Sequence, residues 1–123
     1  DVLVTENNGP ARLLRNDTRG TNNVIRVRTI GVDSNRDGIG ARVEVTTGGN
    51  TRWQIVKTGS SYASQSELPV TFGLGRATTV EAVRVLWPSG TIDRVASPDV
   101  NHQLTIREGD GLVDATPLAR GGR

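Results

Sequence analysis

Short apolar runs alternate with turn-forming residues along this chain, at intervals of about ten positions. The runs at 23–32 and 41–47 alternate apolar and polar residues with a period of two, which is the pattern of half-buried strands. The run at 80–95 reads as a hairpin that turns at Pro-Ser-Gly. Helical spacing is not sustained anywhere. The pattern therefore predicts an all-β sandwich of seven to eight mainly antiparallel strands.

The four aromatic residues refine this picture. Trp53 and Trp87 occupy apolar positions of their strands, so both are predicted to be core residues. Tyr62 stands in a serine-rich stretch and is predicted to be exposed. The chain has 123 residues, 15 Gly and no Cys. It is therefore long enough for one domain with a real core and has no disulfides.

Net charge and hydropathy exclude two classes of partner. The net charge is +2 and the arginines are scattered singly along the strands, whereas nucleic-acid binding calls for a concentrated basic stripe with stacking aromatics. No apolar run approaches the roughly 20 residues of a membrane span. We therefore expect neither nucleic acid nor a membrane span.

The first sixteen residues predict a hairpin, with two strands around the turn Asn-Asn-Gly-Pro. Val2 and Val4 point to one face of the first strand and Leu3 to the other. A strand with apolar side chains on both faces is unfavourable when both faces are exposed to water. An open strand edge also pairs readily with another chain. We therefore predict that Val2, Leu3 and Val4 belong to an assembly strand.

Residues 33–44, DSNRDGIGARVE, fit the calcium-loop pattern D-x-[DN]-x-[DN]-G-x5-E. Side-chain oxygens of Asp33, Asn35 and Asp37 and the Ile39 carbonyl form the candidate calcium ligands. Strands flank the loop, although an EF-hand needs helices on both sides. Glu44, the nominal twelfth ligand, is therefore predicted to point to solvent and to take no part.

The alternative interpretation of this loop is a turn without a cation. Asp33 and Asn35 would then cap the turn, while Gly38 and Gly40 would supply unusual dihedral angles. Neighbouring arginines would also repel a divalent cation. We favour this interpretation, expect no cofactor to be required for folding, and keep Ca²⁺ as the alternative. Gly73 and Gly75 are likewise predicted to have positive φ or a close backbone approach.

Catalytic chemistry is poorly represented in the sequence. His102 is the only histidine and is predicted to be a surface or edge-strand residue. The paired carboxylates Asp33 and Asp37 share one tight loop, where capping a turn or holding a cation fits better than acid–base catalysis. We therefore expect a protein that is not an enzyme. Asn16 opens the sequon Asn-Asp-Thr and is a candidate glycosylation site.

Three sequence blocks resemble, in order, those of the ASPIC/UnbV domain. The blocks are DSNRDGIGARVEV, GSSYASQSELPVTFGLG and VEAVRVLWPSG, and the resemblance covers residues 24–108. Residues 1–16 resemble the closing strands of an FG-GAP/VCBS repeat, which is a β-propeller blade. The division that follows is 1–16 as those strands, 17–110 as an ASPIC/UnbV-like β domain, and 111–123 as a loose C-terminal tail.

The resemblance implies a non-catalytic module at an extracellular or cell-surface location, next to a β-propeller. Together with the two exposed strands predicted in residues 1–16, this resemblance leads us to expect a structural or interaction module. The module would assemble into a surface fibre by strand addition. Its partner would be a further copy of the chain or an adjacent propeller, and the remaining possibility is that the hairpin docks on the sandwich of its own chain. The alternative is a calcium-dependent module that binds glycans or a partner protein.

Overall fold

A computed structural model describes residues 1–17, 20–60 and 62–119 of the chain. These residues form ten strands and no helix. In chain order the strands are β1 (Val2–Val4), β2 (Arg12–Leu14), β3 (Asn23–Ile30), β4 (Arg42–Thr47), β5 (Asn50–Ile55), β6 (Val70–Gly75), β7 (Ala82–Leu86), β8 (Ile92–Ala96), β9 (His102–Arg107) and β10 (Gly111–Pro117). No helix in the described part of the chain could cross a membrane.

Eight of these strands form two four-stranded sheets, which confirms the predicted all-β sandwich. Sheet I has the order β10-β9-β3-β6, and sheet II has the order β5-β4-β7-β8. Neighbouring strands are antiparallel except β3 and β9, which are parallel. The inward-facing apolar residues of both sheets make one core, consisting of Ile25, Val27, Ala41, Val43, Val45, Val56, Val70, Phe72, Leu74, Val80, Val83, Val85, Trp87, Val95, Leu104 and Ile106.

The predicted loose tail at 111–123 is wrong over its first part. Residues Gly111–Pro117 form β10, which pairs with β9 in register from Gly111 opposite Arg107 to Pro117 opposite His102. An edge strand needs backbone hydrogen bonds on one side only, so it can form without a regular apolar pattern and can carry a proline. Residues 120–123 lie outside the described residues.

The predicted N-terminal hairpin forms as a two-stranded sheet of its own. Val2 pairs with Leu14, Leu3 with Leu13, and Val4 with Arg12. Every residue of both strands is exposed, and Leu3 and Leu13 keep 66% and 68% of their surface accessible. The hairpin therefore does not bury its apolar side chains against the sandwich of its own chain.

The two tryptophans differ, and only Trp87 is a core residue. Trp87 is 4% exposed, and its Nε1 donates to Asp93 Oδ2 at 2.7 Å. Trp53 is 53% exposed, so its predicted place in the core is wrong. It lies on the edge strand β5, whose polar residues Arg52 and Gln54 reach across to β6. Since side chains alternate along a strand, Trp53 points to the opposite, outer face of sheet II.

Candidate functional site

The connection between β3 and β4 is held by the carboxylate of Glu108, just after β9. Glu108 Oε2 accepts the backbone N–H groups of Val32, Asp33 and Ser34 at 2.7, 2.9 and 2.8 Å. Its Oε1 accepts the hydroxyls of Ser34, at 2.8 Å, and Ser89. Three consecutive N–H groups make a small anion-binding concavity. Here a carboxylate of the same chain fills that concavity.

The ionisation of Glu108 reflects this environment. Burial by itself raises the pKa of the carboxyl group. The hydrogen bonds from the Ser89 hydroxyl, the Ser34 and Val32 backbone N–H groups and the Ser34 hydroxyl outweigh that effect and lower the pKa from 4.5 to about 2. A carboxylate that accepts several N–H bonds is stabilised in its charged form. Glu108 therefore holds the β3–β4 loop in its ionised, carboxylate form.

The loop beyond this anchor is a tight turn closed by its own atoms. Asn35 Oδ1 accepts the Asp37 N–H at 2.9 Å, and the Asn35 carbonyl accepts the Gly38 N–H at 2.7 Å. Thr29 Oγ1 donates to the Asp37 carbonyl at 3.0 Å. Gly38 has φ +71° and Gly40 has φ +92°. The loop thus has the left-handed glycines of the turn interpretation and the predicted cap from Asn35. Asp33 takes part through its backbone N–H, which Glu108 accepts, so the cap predicted from its side chain is wrong.

The other two predicted turn glycines behave differently from one another. Gly75 ends β6 with φ +59°. Gly73 lies inside β6 without a left-handed φ, and a Cβ there would meet nothing within 4 Å. The special role predicted for Gly73 is therefore wrong. Gly73 pairs with Val24 and Gly75 with Asn23, so the register between β6 and β3 shifts by one residue at this point. This stretch is therefore a strand with one local irregularity.

The candidate calcium ligands are gathered in this loop, but they do not form a cluster of acidic side chains. Asp33, Asn35 and Asp37 are exposed, and Ile39 is half-buried between the two glycines. Within residues 1–17, 20–60 and 62–119, no group of three or more His, Cys, Asp or Glu side chains could hold a metal ion. A site here would depend on two carboxylates, one amide and carbonyl oxygens. Calcium binding remains a prediction.

Glu44 lies on β4, where its carboxylate accepts Arg42 Nε at 3.0 Å and Arg84 Nη1 at 3.2 Å. It is buried, so the prediction that it points to solvent is wrong. It does face the outer side of sheet II, but the side chains of both arginines cover it. Its charge is compensated in the sheet and is not directed to the loop.

A shallow open groove runs between the edge strands β5 and β6. Its volume is about 450 Å³, and its lining is mainly polar, from Thr51, Arg52, Gln54 and Thr71, with Trp53 at the rim. Arg52 Nη2 donates to the Gly73 carbonyl at 2.6 Å and Gln54 Nε2 to the Thr71 carbonyl at 2.8 Å. These two side chains therefore donate hydrogen bonds to backbone carbonyls of β6, the edge strand of sheet I.

Arg42, on the neighbouring strand β4, holds the exposed indole of Trp53 in place. The guanidinium carbon of Arg42 lies 4.5 Å from the centroid of the Trp53 ring, a cation–π distance. Trp53 is also the cross-strand neighbour of Glu44, the carboxylate that binds Arg42. The arrangement fixes an aromatic ring on the surface beside the groove.

The remaining sequence candidates lie apart from the loop and the groove. His102 is half-buried at the start of β9, an inner strand of sheet I, so its predicted surface or edge-strand position is wrong. Its Nδ1 lies 2.9 Å from the Val100 carbonyl. Tyr62 is exposed, as predicted. Asn16 is exposed, whereas Thr18, the residue that completes its sequon, lies outside the described residues. None of these residues joins a catalytic arrangement with another predicted residue.

Sequence reasoning missed Glu108 and misplaced Trp53, for different reasons. Glu108 binds a loop 74 to 76 positions earlier, and no local pattern announces so distant a contact. The period of two correctly separates Arg52 and Gln54 from Trp53 and Ile55 on the two faces of β5. It does not say which face turns to the core, and here the polar pair lies on the core side, opposite Val45 and Val43 of β4.

One comparison with known proteins gives a match. The family model described as ASPIC and UnbV matches residues 31–113, which include the β3–β4 loop, the groove strands and most of the sandwich. Comparison with curated proteins and with solved structures gives no significant match. Because the family model covers more than half of the chain, the protein belongs to the ASPIC and UnbV family.

Proposed function

We propose that this chain is a non-catalytic structural or interaction module that assembles through its N-terminal hairpin. The observation that carries the proposal is the exposure of apolar side chains on both faces of that hairpin. An isolated two-stranded hairpin is marginally stable in water. Addition to a partner's sheet would bury these side chains and pair the free strand edges.

The partner in this proposal is a second copy of the chain, which receives the hairpin and donates its own to the next. Such a heterologous contact does not close on itself and therefore gives a fibre. An adjacent β-propeller is the other partner that the resemblance of residues 1–16 to a propeller blade favours. The same resemblance supports an extracellular or cell-surface location.

The test compares particle size by light scattering for the full chain, a chain without residues 1–16, and the double variant Leu3→Gln, Leu13→Gln. We expect the full chain to form concentration-dependent oligomers and both altered chains to be monomers. Glu6→Gln, a change in the hairpin that removes no apolar surface, is the matched control and should still assemble. A monomeric full chain would refute self-assembly and leave the propeller as the partner to examine.

A calcium-dependent binding module is the second candidate function. The exposed oxygens of Asp33, Asn35 and Asp37 on one loop favour it. A ligand bound only by the folded state raises stability by about 2.7 kcal/mol at a hundredfold excess over Kd. Melting temperatures measured in calcium and in EDTA therefore decide the question, and equal values would exclude this function.

We also propose Asn16 as an attachment site for a glycan, supported by its sequon and its exposure. In a secreted protein such a sequon is an acceptor for N-glycosylation. The intact mass of the protein from its native source tests this proposal. An unmodified peptide that carries Asn16 would rule it out.

A further inference from the structure

We infer that the groove between β5 and β6, with Trp53 at its rim, is a binding site for an anionic oligosaccharide. The first support is the exposed indole. Trp53 keeps 53% of its surface accessible although it is one of only two tryptophans in the chain. Arg42 packs 4.5 Å from the ring centroid and fixes the orientation of the ring. A fixed, exposed aromatic ring is a ready stacking surface for the apolar face of a pyranose.

The second support is the chemistry of the groove. Thr51 and Thr71 bring hydroxyls, Gln54 an amide and Arg52 a guanidinium. Arg52 and Gln54 lie on the core side of β5 and the Trp53 ring on its outer face, so a ligand that uses both would have to cross the open edge of β5. A guanidinium has five N–H donors, and the bond from Arg52 Nη2 to the Gly73 carbonyl engages only one nitrogen. The groove has a volume of about 450 Å³ and is open to solvent, so it would hold an elongated ligand with one side exposed. The polar lining suits a sugar better than an apolar ligand.

The third support is the charge of the surroundings. Arg42 and Arg84 share the single carboxylate of Glu44, with N–O distances of 3.0 and 3.2 Å. Arg52 adds a further positive charge at the groove itself. The site is therefore positive overall, which favours a ligand with carboxylate or sulfate groups. It also disfavours a second copy of the same face, because like charges would meet.

An acidic protein surface is the competing ligand class, and the groove fits it less well. Protein interfaces bury about 800 Å² on each partner around an apolar centre. The groove is small and mainly polar, and its only exposed aromatic residue is Trp53. These features favour a narrow polyhydroxylated chain that carries charge. This inference does not depend on the hairpin, so it stands or falls separately from self-assembly.

The test is a titration of the full chain, followed by tryptophan fluorescence and calorimetry. The ligands are hexagalacturonate and a heparin hexasaccharide as anionic probes, maltohexaose as the neutral sugar, and hexaglutamate as the acidic peptide. We expect saturable binding of at least one anionic sugar, weakened by added salt. Maltohexaose and hexaglutamate should bind at least tenfold more weakly, a difference of about 1.4 kcal/mol.

Variants then locate the site. Trp53→Ala and Arg52→Gln should each weaken binding about tenfold and remain folded, with melting temperatures lowered by only a few degrees. Ile92→Ala is the matched control, because Ile92 is 54% exposed on the opposite edge strand of sheet II, and it should bind like the parent. The inference is overturned if neither anionic sugar binds, if hexaglutamate binds as tightly as the sugars, or if Trp53→Ala binds unchanged.

Discussion

Replacing Gly38 with alanine tests the physical account of the β3–β4 loop most directly. Gly38 has φ +71° and is buried beneath Trp87. A Cβ at this position would lie 2.2 Å from Thr29 Oγ1 and 2.5 Å from Thr29 Cβ. The substitution therefore combines an unfavourable dihedral angle with a collision against a β-branched residue of β3, which cannot move away without a shift of the strand.

Two other glycines separate these two effects. Gly48 has φ +55° and open space for an added methyl group, since nothing lies within 4 Å of its Cβ position. Gly48→Ala should therefore cost only the left-handed conformation, about 1–2 kcal/mol. Gly40 has φ +92° and its Cβ would lie 3.2 Å from Pro88 Cγ, so Gly40→Ala should cost slightly more than Gly48→Ala.

Gly38→Ala should be much the most damaging of the three. Overpacking a core typically lowers the free energy of unfolding by about 1–3 kcal/mol. Displacing Thr29 would also break its hydrogen bond to the Asp37 carbonyl, which lowers that free energy by about 1 kcal/mol more. With the dihedral cost of about 1–2 kcal/mol, we expect a loss of about 3–6 kcal/mol, a large part of the roughly 5–15 kcal/mol that stabilises most domains.

Urea unfolding at neutral pH, followed by the fluorescence of buried Trp87, measures the three losses. We expect the order Gly38→Ala, Gly40→Ala, Gly48→Ala from largest to smallest. If Gly38→Ala loses no more stability than Gly48→Ala, then the collision with Thr29 is relieved without cost and the packing argument is wrong. A loss below about 1 kcal/mol in all three variants would also refute the dihedral argument.

Three further predictions concern charge and packing. The native pKa of Glu108, about 2, lies below its ordinary value of 4.5, so the stability from this group should be complete above pH 4.5 and lost as the pH falls towards 2. In urea unfolding, the free energy of unfolding should therefore differ less between pH 3 and pH 7 for Glu108→Gln than for the parent. An equal difference in the two proteins would contradict this prediction. Asn35→Ala removes the Oδ1 acceptor of the Asp37 N–H and should lower the melting temperature equally in EDTA and in calcium, whereas a loss only in calcium would favour the metal site. Trp87→Ala should lose about 3–5 kcal/mol in urea unfolding but Trp53→Ala only about 0.5 kcal/mol, and comparable losses would contradict the assignment of one indole to the core and one to the surface.

The strands that could be predicted from sequence are those whose apolar residues alternate with period two. β3 buries Ile25 and Val27, and the hairpin of β7 and β8 turns at the predicted Pro-Ser-Gly. β10 could not be predicted in this way, because all but its first residue are exposed and its stability comes from backbone pairing with β9. Period-two reasoning detects buried faces, so it is blind to an edge strand that has none.

The candidate sites show the same limit in another form. The turn at Asn35–Gly38 is local, and its residue types announce it. The groove is formed by β5 and β6 from different sheets, so no single stretch of sequence contains it. Trp53 is exposed because it lies on the outer face of sheet II, and the face of β5 that turns outward is set by its pairing with β4, which is a property of the whole fold.

The loop that matches the calcium pattern also has a structural role that the pattern does not contain. Ser34 in this loop and Ser89 in the β7–β8 turn both donate to Glu108, which follows β9. Nearby, the Trp87 ring lies 3.3 Å from the Cβ position of Gly38. These contacts join sheet I, which contains β9, to the turn between two strands of sheet II.

Two of the three sequence blocks that resemble the ASPIC/UnbV domain therefore meet at one joint of the sandwich. Ser34 and Gly38 belong to the first block, and Trp87 and Ser89 to the third. The residues that make the family recognisable here are engaged in holding the sheets together, in contacts that a ligand would have to break. The surfaces that remain available for a partner, the N-terminal hairpin and the groove beside Trp53, lie outside this joint. Family membership therefore bears on this joint, whereas the proposed assembly rests on hairpin residues such as Leu3, which lie outside the matched residues 31–113.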